Sequence, residues 1–339
     1  MDFKSAQGAK WNGGALFYVA LTYCVGWWLL LSSSSFFVWL LGSIILGHSL
    51  IIAAYLIHEC AHNSIFKGNS DNAFLGGLLG WICGSCYGEY EDIRYKHFRH
   101  HVDNDDVVWF DYEEFFSNHP VAYKITRWLE SLLIPAHDLI MHFIMMFSSF
   151  IIPERSSQRF RNSLILLCRG CIFSIILVAS PAALAGYILG YLFMISVLRF
   201  MDSLQHDYPY HLTLFDENTQ PPNKGDSVWE QEHTFSNVIS WKYTWPNWLV
   251  LNFGFHNAHH ARPTAPWYTL PKLHREEFGE DAKKIIPLLP QLIIYWKYRR
   301  YRIFHDAPNL TSVEGKEFLL AAQKGQVTGG NAASFLTAF

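Results

Sequence analysis

Four long stretches of the chain carry almost no charge. They run over 15–31, 36–57, 164–180 and 182–203, and a helix needs about 20 apolar residues to cross the hydrocarbon of a bilayer. "SSSS" joins the first two and a turn at Pro181 joins the last two. The pattern therefore predicts four membrane spans taken in two hairpins. Two other apolar stretches are harder to place. Residues 73–86 are Gly-rich and too short to cross, and residues 132–152 are long enough but carry His137, Asp138 and His142.

Histidine dominates the polar segments between these runs. "HECAH" holds His58 and His62, "HFRHH" holds His97, His100 and His101, and "HNAHH" holds His256, His259 and His260. "LQHDYPYH" adds His206 and His211. On a helix, residues three and four apart share a face, so each cluster presents two or three imidazoles to one centre. Neutral imidazole is a good ligand for divalent iron, copper or zinc. Eight histidines in three clusters are too many for one tetrahedral zinc and enough to surround two metals.

His58-Glu59-x-x-His62 is also the letter pattern of a zinc metalloprotease helix. The extended form of that pattern requires Gly and a third His downstream, whereas the chain continues Asn63, Ser64, Ile65. A single zinc would also leave two H-x-x-H-H clusters unexplained.

If the clusters serve one site, they share one face of the membrane. His58 follows the second span and His206 follows the last, so 132–152 must lie in the interface and the chain crosses four times. Lys4 and Lys10 precede the first span and Arg155, Arg159 and Arg161 precede the third, while the opposite loops are uncharged. By the positive-inside tendency, both termini and the clusters are expected on the cytoplasmic side. No cleavable leader pattern is read at the N-terminus.

Composition agrees. Half the 339 residues are hydrophobic and 16% are charged, against about 25% in a typical soluble domain. A formal charge of −3 without a long basic run gives no footprint for nucleic acid. The C-x-x-C pairs at Cys83/Cys86 and Cys168/Cys171 lie more than 80 residues apart in apolar segments. A zinc ribbon needs roughly 15–20 residues between its pairs, so these read as small hydrophobes in the packing.

The ordered set H-x-x-x-H, H-x-x-H-H, H-x-x-H-H, interleaved with paired spans, resembles the membrane fatty acid desaturase superfamily, which also contains hydroxylases. "HECAHNSIF", "YKHFRHHVDNDD" and "NFGFHNAHHARP" carry the resemblance, which covers nearly the whole chain. It implies an all-α membrane protein of one domain over 1–339, with a histidine-rich cytoplasmic cap from 58–163 and 204–308 and a peripheral tail over 309–339. It implies two iron ions held by His58, His62, His97, His100, His101, His206, His256, His259 and His260, with O2 as co-substrate. His206 fits the extra histidine after the last span, with His211 and His233 as rivals.

Asp103, Asp105, Asp106, Asp111, Asp202 and Asp207 are candidates for the carboxylates that orient metal-bound imidazoles. His48 in mid-span is expected to be packed, His137 and His142 to sit on the polar side of an interfacial helix, and His119, His274 and His305 to be surface or capping residues.

The resemblance implies O2-dependent oxidation of an unactivated C–H bond in a fatty acyl chain, with desaturation favoured. Hydroxylation of a fatty acid, alkane or carotenoid, or oxidative decarboxylation to a terminal alkene, are the alternatives; "QHDYPYH" leans towards the hydroxylases. A transporter would carry its ionisable groups within the spans, and here they sit at span ends and in loops. The chain has no haem or nucleotide-binding signature, so an external donor of ferredoxin, rubredoxin or cytochrome type is expected.

Overall fold

The structure is a computed structural model that describes residues 1–32, 34–208, 212–214, 216, 219–280 and 284–330. Its regular structure is helical: β pairing among these residues is confined to isolated bridges. The helices are α1 (Ala6–Ser32), α2 (Phe36–Ala61), α3 (Asn69–Cys83), α4 (Tyr90–Asp103), α5 (Tyr112–Asn118), α6 (Pro120–Ser131), α7 (Ala136–Ile151), α8 (Arg159–Ala179), α9 (Pro181–Asp202), α10 (Ser227–Glu232), α11 (His256–Ala261), α12 (Leu270–Phe278), α13 (Leu288–Tyr298) and α14 (Gly315–Gln323).

Four segments are long and apolar enough to cross a membrane: Ala6–Ser32, Phe36–Ala61, Pro153–Ala179 and Pro181–Asp202. These are the four read from the sequence, extended at most ends by turns too polar to stand out in the apolar pattern. Helix α7, at 16 residues, falls short of crossing length.

The chain divides into two compact units. The first comprises Met1–Asp92 and His142–Val197. Here α2 is apolar all round and is the packed centre, while α8 leaves most of its surface outward. Small residues let backbones approach closely, as is usual between membrane helices. A Cβ on Gly47 of α2 would lie 2.6 Å from the carbonyl oxygen of Gly190 on α9. His48 bonds the Tyr18 hydroxyl at 2.7 Å and is a packing histidine, as expected. Cys83 and Cys86 are buried free thiols, whereas Cys168 and Cys171 are free and exposed on α8.

The second unit comprises Ile93–Met141 and Leu198–Ala338. One core cluster joins Leu204, Phe235, Ile286 and Ile294 to Phe318, Ala322 and Val327. The last three correct the expectation of a peripheral tail from residue 309: α14 turns an apolar face inward and packs there. Residues 331–339 lie outside the described set.

Three histidines also depart from expectation. His137 is fully buried against Tyr112, next to Asp138, which lies 3.2 Å from Arg199; Arg199 in turn pairs with Glu130 at 2.6 Å. His142 is buried and bonds the Tyr191 hydroxyl at 2.9 Å. The polar side of α7 is therefore turned into the protein, because buried partners from other helices receive it. His274 is buried too, facing Trp241 and Phe255, and burial, with Arg275 and Lys284 nearby, pushes its pKa down to about 4. His305 bonds the Thr328 hydroxyl at 2.6 Å.

Candidate metal centre

Helical segments fix the spacing within the three histidine clusters. Helix α4 carries His97, His100 and His101, and α11 carries His256, His259 and His260. The approach to α11 is tightly turned: Leu251 and Asn252 both adopt left-handed backbone, and a Cβ on Gly254 would lie 2.8 Å from the Asn237 carbonyl oxygen. Asn257 then pins α11 to the segment before it by donating to the Thr234 carbonyl at 2.5 Å. His206 is placed by a backbone bridge to Thr234, with the Phe235 N–H donating to Gln205 at 2.8 Å.

Within the second unit these elements bring seven of the nine predicted residues into two adjacent groups. In the first, the Nε2 atoms of His100, His206, His256 and His260 converge. His206 Nε2 lies 3.1 Å from that of His100 and 2.8 Å from that of His256, and His260 Nε2 lies 3.2 Å from that of His256. All four rings are buried. In the second group, His101 Nε2 lies 3.2 Å from His97 Nε2 and 3.1 Å from His259 Nε2. The groups are neighbours, with the His101 and His260 rings 4.3 Å apart.

In the first unit His58 and His62 stand at the end of α2, both buried, with ring centroids 4.8 Å apart. Glu59 beside them accepts the Ser64 hydroxyl at 2.6 Å. Of the rivals to His206, His233 bonds Asp207 at 2.9 Å instead of joining a group, and His211 lies outside the described residues.

The first group tests well as a metal site. Its ring nitrogens are too close for four protonated imidazoles. Desolvation, reinforced by His260 and other neighbouring histidines, holds His206 and His256 well below the ordinary imidazole range. Three rings have a partner at the far nitrogen, as metal-ligating histidines usually do. His260 Nδ1 meets Glu230 at 2.6 Å, and His206 Nδ1 meets the Thr234 hydroxyl at 3.2 Å. His100 Nδ1 meets the Asp105 carbonyl at 2.9 Å, with the Asp106 carboxylate at 3.2 Å. A proton held at Nδ1 leaves the Nε2 lone pair aimed at the common point. The donor set, all imidazole nitrogen, suits a divalent transition metal.

Asp106 is thus one of the six candidate carboxylates that reaches a ring of the group, and Asp105 does so through its backbone. Asp207 holds His233. Asp103 pairs with Arg99 at 2.7 Å and Lys224 at 3.0 Å, and Asp111 caps α5. Glu230 was missed. It is 26 residues from the nearest box, and only its place on α10 beside α11 brings it to His260, and to 4.0 Å from His101. Lys96, a buried residue of α4, is brought down to about 8 by desolvation, opposed by Asp106 and Asp202.

With this geometry in hand, comparison with known proteins is decisive. The family model "Fatty acid desaturase" matches residues 34–291. The chain belongs to the fatty acid desaturase family. The match begins just before α2, ends within α13 and takes in all nine histidines. A curated relative, the sphingolipid delta(4)-desaturase DES1 of Drosophila melanogaster, is 25% identical to this member over 294 residues, covering 83% of this chain and 77% of the relative. The family assignment makes the protein an oxidoreductase of lipid chains, associated with the membrane through its apolar helices.

Proposed function

We propose that this protein uses O2 to oxidise an unactivated C–H bond of a fatty acyl chain, introducing a double bond. The observation that carries this reading is the pair of buried imidazole groups in a member of the desaturase family. In this proposal two iron ions are held by His58, His62, His97, His100, His101, His206, His256, His259 and His260. Iron held there would activate O2, the oxidant that cleavage of a C–H bond of this strength demands. The protein's part is placement and exclusion. Thr234, Glu230, Asp106 and the Asp105 carbonyl keep the rings in one tautomer, and burial keeps water from competing with substrate.

The nine ligands, one membrane-bound domain and four crossings leave the site and both termini on the cytoplasmic side, as the basic flanks suggest. There an external ferredoxin, rubredoxin or cytochrome-type donor would meet it. The relative's name supports a lipid-chain substrate; a fatty acyl group is the simplest one consistent with the family.

The test is mass spectrometry of products from membranes containing the protein, fed a perdeuterated fatty acid under oxygen. A product of unchanged carbon count lacking two deuterons is expected, with the double-bond position giving the regiochemistry. A product that gains oxygen, or is one carbon shorter with a terminal alkene, overturns desaturation in favour of hydroxylation or decarboxylation. The same membranes carrying His256→Ala should form no product.

A further inference from the structure

A stack of aromatic rings leads from the first histidine group towards the surface. Tyr208 lies on His206, with ring centroids 4.4 Å apart and planes at 28°. Trp229 stacks on Tyr208 at 5.2 Å and 25°, and His233 stacks on Trp229 at 4.0 Å and 16°. Tyr208 is buried, whereas Trp229 is part-exposed on α10, beside exposed Asp226, Ser227, Val228 and Glu232. The stack is held firmly. Asp226 accepts from the backbone N–H groups of Val228 and Trp229, each at 3.0 Å, and Asp207 fixes His233 at 2.9 Å. All these residues belong to the second unit.

The oxidase reading, on which this inference rests, has a fixed electron requirement. Removing two hydrogens from adjacent carbons follows R–CH2–CH2–R′ + O2 + 2e⁻ + 2H⁺ → R–CH=CH–R′ + 2H2O. Two electrons per turnover must come from a reductant outside the lipid and O2. Electron tunnelling falls off steeply across gaps, so a rigid run of stacked rings between surface and metal ligands is a favoured route.

We infer that α10 is the electron-entry site. A one-electron donor protein, carrying an iron–sulfur cluster or haem, docks over Trp229, and each electron tunnels through Trp229 and Tyr208 to His206 and the metal it holds. The donor loses one electron per transfer and the metal centre gains it. The rings bridge the gap without being reduced themselves. Trp229 and Tyr208 are positioning residues for this transfer and touch no substrate.

The test injects electrons at α10 directly. Full-length, iron-loaded protein in phosphatidylcholine nanodiscs carries Val228→Cys labelled with a charged ruthenium tris-bipyridine. The exposed native cysteines, Cys24, Cys168 and Cys171, lie within α1 and α8 and are shielded by lipid. A flash moves one electron from the excited label to the ferric centre, and ascorbate re-reduces the oxidised label. Bleaching of the ferric absorbance should follow the flash. With Trp229→Leu added it should slow by an order of magnitude or more, and Trp229→Phe should restore most of the rate. Iron content and reduction by dithionite should stay as they were.

An equal rate in the Leu variant, or no flash reduction in a centre that dithionite bleaches, overturns the route. Loss of iron in the Leu variant overturns it too, by making Trp229 a structural support. Absence of dithionite-reducible iron in the unsubstituted protein would instead overturn the metal reading itself.

Discussion

Replacing Glu230 by alanine tests the tautomer argument at its strongest contact. The carboxylate meets His260 Nδ1 at 2.6 Å and lies 4.0 Å from His101 Nδ1, so one side chain faces a ring in each group. Partners of this kind typically change metal affinity about 10- to 100-fold when removed, which corresponds to about 1.4–2.7 kcal/mol. The backbone of Glu230, which accepts the Thr234 hydroxyl at 2.6 Å, is untouched by the substitution. Cobalt(II) competition against a chromophoric chelator reads the affinity in purified protein, with a thermal melt of the metal-free form as the folding control. Glu230→Gln keeps an acceptor oxygen and should fall between the two. An alanine variant that folds normally and binds cobalt as tightly as the parent refutes the reasoning.

Two further outcomes follow from groups outside the metal centre. His274 has its folded pKa lowered to about 4 from an ordinary value near 6.5; the unfolded chain therefore takes up its proton first, and its contribution, about 3 kcal/mol at most, is full above pH 6.5 and lost as pH falls towards 4. His274→Leu should flatten the fall in melting temperature across that window, and an unchanged pH profile would count against burial as the cause. At the crossing of α2 and α9, Gly47→Val should cost about 1–3 kcal/mol or more by overpacking and lower the yield of monodisperse protein. Gly77→Ala, which meets open space, should leave the yield unchanged; equal yields from both would refute the close-approach argument.

The parts of the molecule legible in sequence were those set by local spacing. Apolar runs of crossing length, and imidazoles three and four residues apart, state their geometry without reference to anything distant. His206 was legible only through the resemblance, because its role depends on a bridge to Thr234 that no spacing announces. Glu230 was not legible at all: nothing near it in the chain points to a histidine cluster until α10 is laid beside α11. Burial of His137, His142 and His274 was misjudged for one reason. An isolated polar residue was assigned to water, whereas Tyr112, Tyr191 and Trp241 supply partners from far along the chain. The inward face of α14 was hidden by its glycine-rich surroundings, since Phe318 and Ala322 form too short an apolar pattern to mark a helix.

The tethered far nitrogens also bear on how such a centre is assembled. A thiolate site must shed a proton for every sulfur that binds, so its filling competes directly with acidity. Here burial holds His206 and His256 well below the ordinary imidazole range, and hydrogen bonding at the far nitrogens aims the Nε2 atoms of His100, His206 and His260 at one point. Mild acidification should therefore compete with a metal at His206 and His256 less than it would at thiolates.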